Sequence, residues 1–292
     1  MTTESEGPGP EGPLEAQELF PGSRPLVGVI HLPPLPGAPG WIPGSHSMAD
    51  VSETAVREAR VLEEGGLGGL LVENYGDAPF FPERVPPETV AAMALAVRSV
   101  VEAVNLPVGV NVLRNDARSA VALAAVAGAR FVRVNVHTGA MFTDQGLLEG
   151  RAHETLRTRE ALRTPLTLFA DVLVKHATPP PGVTLGQAAR DLRYRGKADA
   201  LVVSGTGTGE PPTPDELREV KQAAPEVGVW LGSGLTPETA PALLSEADGA
   251  IVGSYLREEG RAGSPLDPER VAALVEAAAR VPTSSTPSRP GP

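Results

Sequence analysis

Cysteine is absent from this chain of 292 residues. Without thiols the protein cannot form disulfides, use a thiolate nucleophile, or bind zinc or an iron–sulfur cluster through sulfur. Basic residues are also in deficit, because 25 Lys and Arg stand against 36 Asp and Glu, a net charge of -11. That charge opposes attraction to phosphate backbones, so we expect no nucleic-acid partner. Free of cysteine, the chain suits a reducing compartment, and we expect it in the cytoplasm.

Long hydrophobic runs are missing too. The longest stretch of low polarity, Ser119 to Ala129, is too short to cross a bilayer. The first 15 residues, MTTESEGPGPEGPLE, contain neither the basic nor the apolar region of a secretory signal. We therefore expect a soluble protein with no integral membrane segment. Hydrophobic residues still make up 41% of the chain, enough for a packed core.

Two tails rich in proline frame the chain. Residues 1–24 and 281–292 contain too few apolar side chains to offset the entropy of ordering, so we predict both as disordered. Between them, residues 25–280 alternate short β-branched segments with helical patterns, and the segments are 25–32, 66–74, 106–113, 129–136, 165–176, 198–205, 227–234 and 248–254. Eight strand-then-helix units predict a single (β/α)8 TIM barrel, with a doubly wound sheet as the competing architecture.

Capping residues predict where the helices of these units begin and end. Starts are predicted at Asp50, at Asp116, at Thr213 before Pro214 and at Thr236 before Pro237, and ends at Gly65 and Gly128. The long connections follow the first, second, fourth and fifth strands. In a barrel this places the elaborate loops at the C-terminal ends of the strands, where active sites lie.

Strand residues alternate between the helix layer and the barrel interior. In RFVRVNVH the valines suit the helix layer, so Arg133, Asn135 and His137 face inward. The same parity turns further polar side chains to that side: Glu73, Asn111, Asn115, Asp171 and Lys175. We interpret this convergence as a ligand-binding barrel mouth. The alternative is an ion-pair and amide layer that only closes the top of the barrel.

Glycine-rich turns follow the last two predicted strands, where many barrels bind phosphate on backbone N–H groups. The segments LGSG and VGS predict a phosphate site, with two tight turns as the alternative. SGTGTGE, residues 204–210, lacks the GK[ST] ending of a Walker A motif and can line the same anion site instead. The predicted phosphate-binding residues are Ser204, Gly205, Gly232, Ser233, Gly234, Gly253 and Ser254.

Lys175 admits two roles. It can be a Schiff-base nucleophile if its neighbours depress its pKa, or a cationic clamp if Asp171 keeps it charged, and the nearby Asp171 favours the clamp. His31 and His176 are candidate proton carriers, or simply hydrogen-bonded strand-end histidines. His31, Glu73 and Asp171 could together hold a divalent metal, but no HExxH-type spacing supports it. We predict no metal site, and the sequence leaves the cofactor unknown.

Several long motifs occur in order and resemble the BtpA/SgcQ family from Pro25 to Arg280: VGVIHLPPLPGAPGW, GLLVENYGDAPF, PVGVNVLRND, FVRVNVHTGAMFTDQG and LFADVLVKHATP. The resemblance implies a barrel of the phosphate-binding type, similar to the ribulose-phosphate-binding barrels. The family takes its name from a factor needed for stable accumulation of photosystem I. In a photosynthetic source this implies photosystem I components as partners and peripheral membrane association. Other members resemble enzymes of sugar metabolism.

Two functions remain open on this basis. The first is an enzyme acting on a small phosphorylated metabolite, such as a sugar phosphate or nucleotide-like compound, by lyase, isomerase or transferase chemistry. Its predicted catalytic residues are His31, Glu73, Arg133, Asp171 and Lys175, and its substrate-binding residues are Asn74, Asn111, Arg114, Asn115, Asn135, Asp144 and His176. The second is a non-catalytic factor that stabilises a membrane complex such as photosystem I. The number of subunits is open as well, with a homo-oligomer as one alternative.

Overall fold

A computed structural model describes residues 14–20, 22 and 24–282, and in it eight parallel strands close into a barrel. The barrel strands are β1 Leu26–His31, β2 Gly69–Glu73, β3 Val108–Asn111, β4 Phe131–Val134, β7 Thr167–Val172, β8 Ala200–Val203, β9 Gly228–Leu231 and β10 Gly249–Val252, and two further strands outside the barrel are β5 Ala140–Thr143 and β6 Gly146–Glu149. Around the barrel the order is β1, β2, β3, β4, β7, β8, β9, β10, and β10 pairs with β1 to complete the circle. The predicted TIM barrel is confirmed.

The helices are α1 Ala16–Leu19, α2 Met48–Glu64, α3 Pro87–Ala103, α4 Ala117–Ala127, α5 Ala152–Ala161, α6 Leu185–Arg190, α7 Pro214–Ala223, α8 Ala240–Leu244 and α9 Pro268–Ala279. The predicted caps at Asp116 and Thr213 are confirmed, because each side chain accepts a backbone N–H of the first turn. Gly65 and Gly128 are the C-caps of α2 and α4, as predicted.

Two predicted helix starts are wrong. Helix α2 begins one turn before Asp50, because Ser47 is its N-cap and Asp50 returns a hydrogen bond to the Ser47 backbone. Near Thr236 the chain forms a turn instead of a helix, since the Thr239 hydroxyl accepts the Thr236 N–H and donates to the Gly234 carbonyl. The short helix α8 starts only after this turn, at Ala240.

An aromatic layer fills the lower half of the barrel, below the polar ends of the strands. Phe131, Phe169 and Trp230 point inward and are fully buried, together with small aliphatic residues of neighbouring strands. Phe131 packs against Phe169 with ring centroids 5.2 Å apart, and Phe169 packs edge-on against Trp230 at 5.1 Å. Gly109 makes room for this layer, because a Cβ there would lie 2.2 Å from the Phe131 ring. The barrel is therefore a packed core and not a pore.

Ala16, Leu19 and Phe20 are buried in the core, although we predicted a disordered tail over 1–24. Helix α1 brings Phe20 under the barrel, where its ring lies 5.4 Å from Phe131 and 5.1 Å from Trp230. Phe20 is 3% exposed, so burial of one large ring holds the segment in place. The rest of the predicted first tail up to residue 13, and residues 283–292 of the second, lie outside the described residues.

A β-hairpin interrupts the barrel order after β4, and no pattern in the sequence predicted it. Strands β5 and β6 pair with each other in antiparallel register and not with the barrel. Phe142 on β5 also exchanges backbone hydrogen bonds with Thr178, in the connection that follows β7. The hairpin consequently stands over the barrel mouth and brings its turn, Asp144 and Gln145, to the cavity described next.

Candidate functional site

A cavity of about 600 Å³ opens at the C-terminal ends of the barrel strands. In register, His31, Glu73 and Asn111 occupy the same level at the ends of β1, β2 and β3. Most of the residues predicted for the site line this cavity, namely His31, Glu73, Asn111, Arg114, Arg133, Asn135, Asp144, Lys175, His176, Gly232, Ser233, Gly234, Gly253 and Ser254. Residues from distant segments of the sequence thus meet in one place.

Arg133 and Asp171 form a buried ion pair at the cavity floor. Arg133 Nε donates to Asp171 Oδ1 at 2.9 Å and Arg133 Nη2 donates to Oδ2 at 3.1 Å, while Asn135 Nδ2 donates to the same Oδ2 at 2.9 Å. Burial alone would lower the pKa of Arg133, but the two carboxylates Asp171 and Glu73 outweigh it and raise that pKa. Asp171 does not line the cavity. It orients Arg133 from below, a positioning role.

Glu73 and Asn111 present hydrogen-bond acceptors without protein donors. The Glu73 carboxylate accepts no hydrogen bond from the described residues, and its Oε1 lies 3.8 Å from Arg133 Nη1. Burial raises the pKa of Glu73 against the opposing pull of Arg133 and Lys175. Asn111 Nδ2 donates to the Arg133 carbonyl and to Asn135, whereas the buried Asn111 Oδ1 has no partner in the described part of the chain. Both groups can accept a hydrogen bond from a bound ligand.

Lys175 lies in the cavity without a carboxylate partner among the described residues. The sequence suggested Asp171 as its partner, but Arg133 and Asn135 already occupy both oxygens of that carboxylate. Asp171 therefore forms no ion pair with Lys175 within the described residues, and the clamp role of Lys175 stays a prediction. Burial lowers the pKa of Lys175, and the neighbouring Arg133 lowers it further.

His31 is held as a neutral ring. Its Nδ1 accepts the Gly263 backbone N–H at 3.2 Å, and its ring stacks on Tyr75 with centroids 4.3 Å apart. Burial lowers the pKa of His31 well below its ordinary value, and Arg257 adds to the effect. Because Nδ1 is an acceptor, the remaining proton sits on Nε2. The ring can donate a hydrogen bond to a ligand, but it is a poor base.

His176 occupies the opposite rim of the cavity. Its Nε2 lies 2.7 Å from the Thr208 hydroxyl, in the glycine-rich loop that follows β8. Its backbone N–H donates to the Thr206 carbonyl of the same loop. Partial burial lowers the pKa of His176, with help from Lys175. These two hydrogen bonds hold the loop against the cavity, so that Thr208 and Gly209 line it.

The turns after β9 and β10 form one end of the cavity. The backbone N–H groups of Ser233, Gly234 and Ser254 have no acceptor within the described residues. Gly234 has φ +76, and a Cβ there would lie 2.3 Å from the Pro211 backbone, so only glycine fits. A Cβ on Gly232 would lie 3.1 Å from Arg133 Nη2, which places this turn beside the buried guanidinium. Unpaired N–H groups beside a cation suit an anion.

Four of the predicted residues lie outside the cavity lining, besides Asp171. Asn74 Oδ1 accepts the Leu113 N–H at 2.7 Å, and Asn115 Oδ1 accepts the Val136 N–H at 2.8 Å, so both amides fix loop backbones. Ser204 Oγ is buried behind Gly232, and Gly205 packs against the Glu210 carbonyl. Strand parity also failed for His137, whose Nε2 lies 2.8 Å from the Gly196 carbonyl.

Arg270 lines the cavity and was missed by sequence reasoning. Its Nε donates to the Tyr255 carbonyl at 2.6 Å, and its guanidinium carbon lies 4.3 Å from the centre of the Tyr255 ring. Strand periodicity carries no signal for it, because it comes from helix α9 and reaches inward past the last loop. The hydrogen bond and the ring contact fix the guanidinium at the cavity end where the free N–H groups lie.

The cavity is cationic although the protein is acidic. Its lining contains two carboxylates and four cations, and these are Glu73 and Asp144 against Arg114, Arg133, Lys175 and Arg270. Within the described ranges, no group of three or more His, Asp or Glu side chains is arranged to hold a metal ion. In the same part of the chain, no helix has the length and apolar character needed to cross a membrane. The balance of charge favours an anionic ligand.

Fold and site together define a TIM barrel with a cationic, glycine-lined cavity at the strand ends. The chain belongs to the BtpA family, which it matches over residues 22–280. It is 44% identical over 266 residues to the photosystem I biogenesis protein BtpA of Synechocystis sp., covering 91% of this chain and 92% of that one. An uncharacterised protein of Thermococcus kodakarensis is 42% identical over 265 residues, covering 90% and 98%.

Solved structures of low sequence identity share the fold. Thiamine phosphate pyrophosphorylase from Pyrococcus furiosus superposes with a TM-score of 0.54 at 12% identity, over 88% of this chain and 96% of that one. At this identity the likeness shows the barrel architecture alone. Any function must therefore be argued from the cavity itself.

Proposed function

We propose that this protein is an enzyme that acts on a small phosphorylated metabolite in the barrel-mouth cavity. The observation that carries the proposal is the juxtaposition of unpaired backbone N–H groups at Ser233, Gly234 and Ser254 with Arg270. A phosphate group would accept from the N–H groups and pair with the guanidinium. The cavity of about 600 Å³ has the size of small-molecule sites in general.

The rest of the ligand would extend from this phosphate end toward β2 and β3. There, Glu73 and the unpartnered Asn111 Oδ1 can accept hydrogen bonds from hydroxyl groups, a pattern that suits a sugar phosphate. A carboxyl group with a raised pKa exchanges protons near neutral pH more readily than an ordinary one, so Glu73 is the candidate acid and base. Arg133 and the neutral His31 would stabilise negative charge that develops on the substrate.

A thermal-shift screen of phosphorylated metabolites, each beside its unphosphorylated parent, tests this function. A ligand that binds only the folded state raises the melting temperature by mass action. We expect at least one sugar phosphate to raise it while its parent sugar does not. Arg270→Gln should shrink the shift, whereas the matched Arg261→Gln should keep it, because Arg261 is exposed and, among the described residues, its side chain pairs with Glu259 alone. Equal shifts in both variants, or none across the panel, would refute the proposal.

The 44% identical Synechocystis relative supports a second candidate, a non-catalytic factor for photosystem I biogenesis. The 42% identical relative in Thermococcus kodakarensis, an archaeon, favours a function that does not depend on a photosystem. The two candidates separate in a photosynthetic host that lacks its own BtpA. Photosystem I accumulation restored by a Lys175→Met, Glu73→Gln double variant would favour the assembly factor over the enzyme.

A further inference from the structure

We propose that the Lys175 amine forms an imine with a carbonyl group of the ligand, which makes the substrate a phosphorylated aldehyde or ketone. This inference rests on the proposed function, since the phosphate end of the cavity would hold the ligand while its carbonyl carbon meets Lys175. It assigns the lysine a covalent role and narrows the class of substrate.

The surroundings of Lys175 differ from those of the other two lysines in the sequence. Lys221 pairs with Asp248 at 3.1 Å, and Lys197 is exposed to solvent. Lys175 lines the cavity, and its ammonium has neither a salt bridge nor a hydrogen bond within the described part of the chain. The ammonium group of a lysine with only a structural role usually forms an ion pair or is solvated by water. Lys175 is half-buried in the cavity wall and has no such partner among the described residues, and the partial loss of water destabilises its charged form.

Cations reinforce this effect. Arg133 and Arg114 both lie close enough to disfavour a positive charge on Lys175, and burial is the larger influence on its lowered pKa. The carboxylates Glu73 and Asp171 oppose this shift of the Lys175 pKa, but burial and Arg133 outweigh them. Only the neutral amine can attack a carbonyl, so the arrangement raises the fraction of Lys175 that is reactive at neutral pH.

The backbone on either side of Lys175 has an unusual conformation that places this residue at the cavity. Strand β7 ends at Val172, and Leu173 and His176 then adopt left-handed conformations with φ +53 and φ +55. Residues with a Cβ avoid this region, so two such turns in four residues need support from the surrounding structure. That support includes the Lys175 carbonyl, which accepts from Arg114 Nη2 at 2.8 Å, and the His176 N–H, which donates to Thr206.

The reaction balances without any oxidant or reductant. The neutral Lys175 Nζ adds to the carbonyl carbon as the C=O π bond breaks, and one of the two Nζ protons passes to the carbonyl oxygen, which gives a neutral carbinolamine. The C–O bond then breaks, and the hydroxyl leaves as water with one proton supplied by the Glu73 carboxyl group. The nitrogen keeps one hydrogen as a protonated imine, and when it releases that proton to Glu73 the products are one imine and one water. Glu73 suits the transfer because burial raises its pKa.

Two small probes that differ only in phosphate test the proposal: glycolaldehyde and glycolaldehyde phosphate. Each is incubated with the full-length protein and sodium cyanoborohydride, which reduces an imine to a stable secondary amine, and peptides are mapped by mass spectrometry. With only three lysines in the chain, the modified position is unambiguous. We expect Lys175 to be modified at least about tenfold faster than Lys197 by both probes. The phosphorylated probe should react faster, and inorganic phosphate should compete with it.

Variants and outcomes separate this inference from the proposed function. Lys175→Arg, checked for an unchanged circular dichroism spectrum, should lose the preferred adduct, while the exposed control Lys197→Arg should keep it. If glycolaldehyde phosphate raises the melting temperature but Lys175 reacts no faster than Lys197, the imine is overturned and the phosphate site stands. If Lys175 reacts preferentially but phosphate gives no advantage and no protection, the imine stands and the phosphate site falls. Failure of both observations overturns both proposals.

Discussion

The lower and upper halves of the barrel interior differ in the polarity of their side chains. Below, Phe20, Phe131, Phe169 and Trp230 form an aromatic layer that is almost inaccessible to solvent. Above, at the strand ends, charged groups and amides are equally well buried, with Arg133 at 4% exposure. Burying apolar rings stabilises the fold, whereas burying a charged group costs free energy unless a partner offsets it.

The contrast indicates what each half is for. A layer of aromatic and aliphatic side chains would close the top of the barrel at a lower cost in desolvation than an Arg–Asp pair does. The upper half retains unpartnered groups as well, since the Asn111 Oδ1 and the Lys175 amine have no protein partner within the described residues. A structural ion-pair layer would satisfy such atoms. Their presence favours a ligand site over a barrel plug.

The largest effect should come from breaking the lower half. Phe131→Ala removes a fully buried ring from the centre of the aromatic layer and should lower the free energy of unfolding by about 4 kcal/mol. Ligand-induced thermal shifts should persist in the folded fraction, because the cavity lies above this layer. Urea denaturation measures the loss. A loss below about 1 kcal/mol would contradict a tightly packed lower half.

Breaking the upper half at its ion pair should cost somewhat less stability but abolish binding. Arg133→Met leaves the Asp171 carboxylate buried without its main partner and should lower the free energy of unfolding by about 3 kcal/mol. The double variant Arg133→Met, Asp171→Leu should recover much of that loss without recovering ligand-induced shifts. Recovered stability with lost binding separates the two halves. A double variant no more stable than Arg133→Met would contradict the desolvation argument.

The raised pKa of Glu73 should be visible in the pH dependence of the free energy of unfolding. Because burial raises its pKa in the folded state, the folded protein holds this proton more tightly than the unfolded chain. Its stabilising contribution is therefore present below the ordinary carboxyl pKa and is lost as the pH rises through the raised value. Relative to wild type, Glu73→Gln should gain stability with rising pH across that window, as measured by denaturation at a series of pH values. A pH-independent difference would contradict the raised pKa.

An effect of opposite sign should come from His31, whose folded pKa is lowered well below its ordinary value. The unfolded chain takes up a proton below the ordinary histidine pKa, while the folded state, with Nδ1 bound to the Gly263 N–H, does not. Stability should thus fall as the pH drops below about 6.5. His31→Phe should make this fall shallower in the same denaturation series. An unchanged acid slope would show that the His31 ring protonates freely.

The sequence predicted the part of this contrast that depends on strand periodicity. Alternation along β4 and β7 was enough to place Arg133 and Asp171 on the same inner surface, and the eight strand patterns were enough for the barrel. Residues in loops behaved differently. Strand parity predicts inward side chains at Asn115 and His137. Both side chains instead form hydrogen bonds with backbone carbonyls of loops, because the strands end before these residues. Beyond the strand ends the path of the loop decides which side chains reach the cavity, since Asn135 and Lys175 also follow their strands and still line it.

Long-range partners account for the remaining misses. Phe20 lies in a segment whose composition suggests disorder, and only the empty lower mouth of the barrel gives its ring a place to pack. Arg270 reaches the cavity from a helix because Tyr255 fixes its guanidinium. Lys175 and Asp171 share the inward parity of one segment, but Arg133 binds the Asp171 carboxylate. Each of these three placements depends on which groups are neighbours in the folded protein. A linear pattern does not encode that.

A crystal structure determined in the presence of inorganic phosphate tests the central claim most directly. The account predicts a phosphate ion within hydrogen-bond distance of the Gly234 and Ser254 backbone N–H groups, with the Arg270 guanidinium turned toward it. Phosphate bound only at the protein surface, with this end of the cavity filled by water at saturating concentration, would contradict the account.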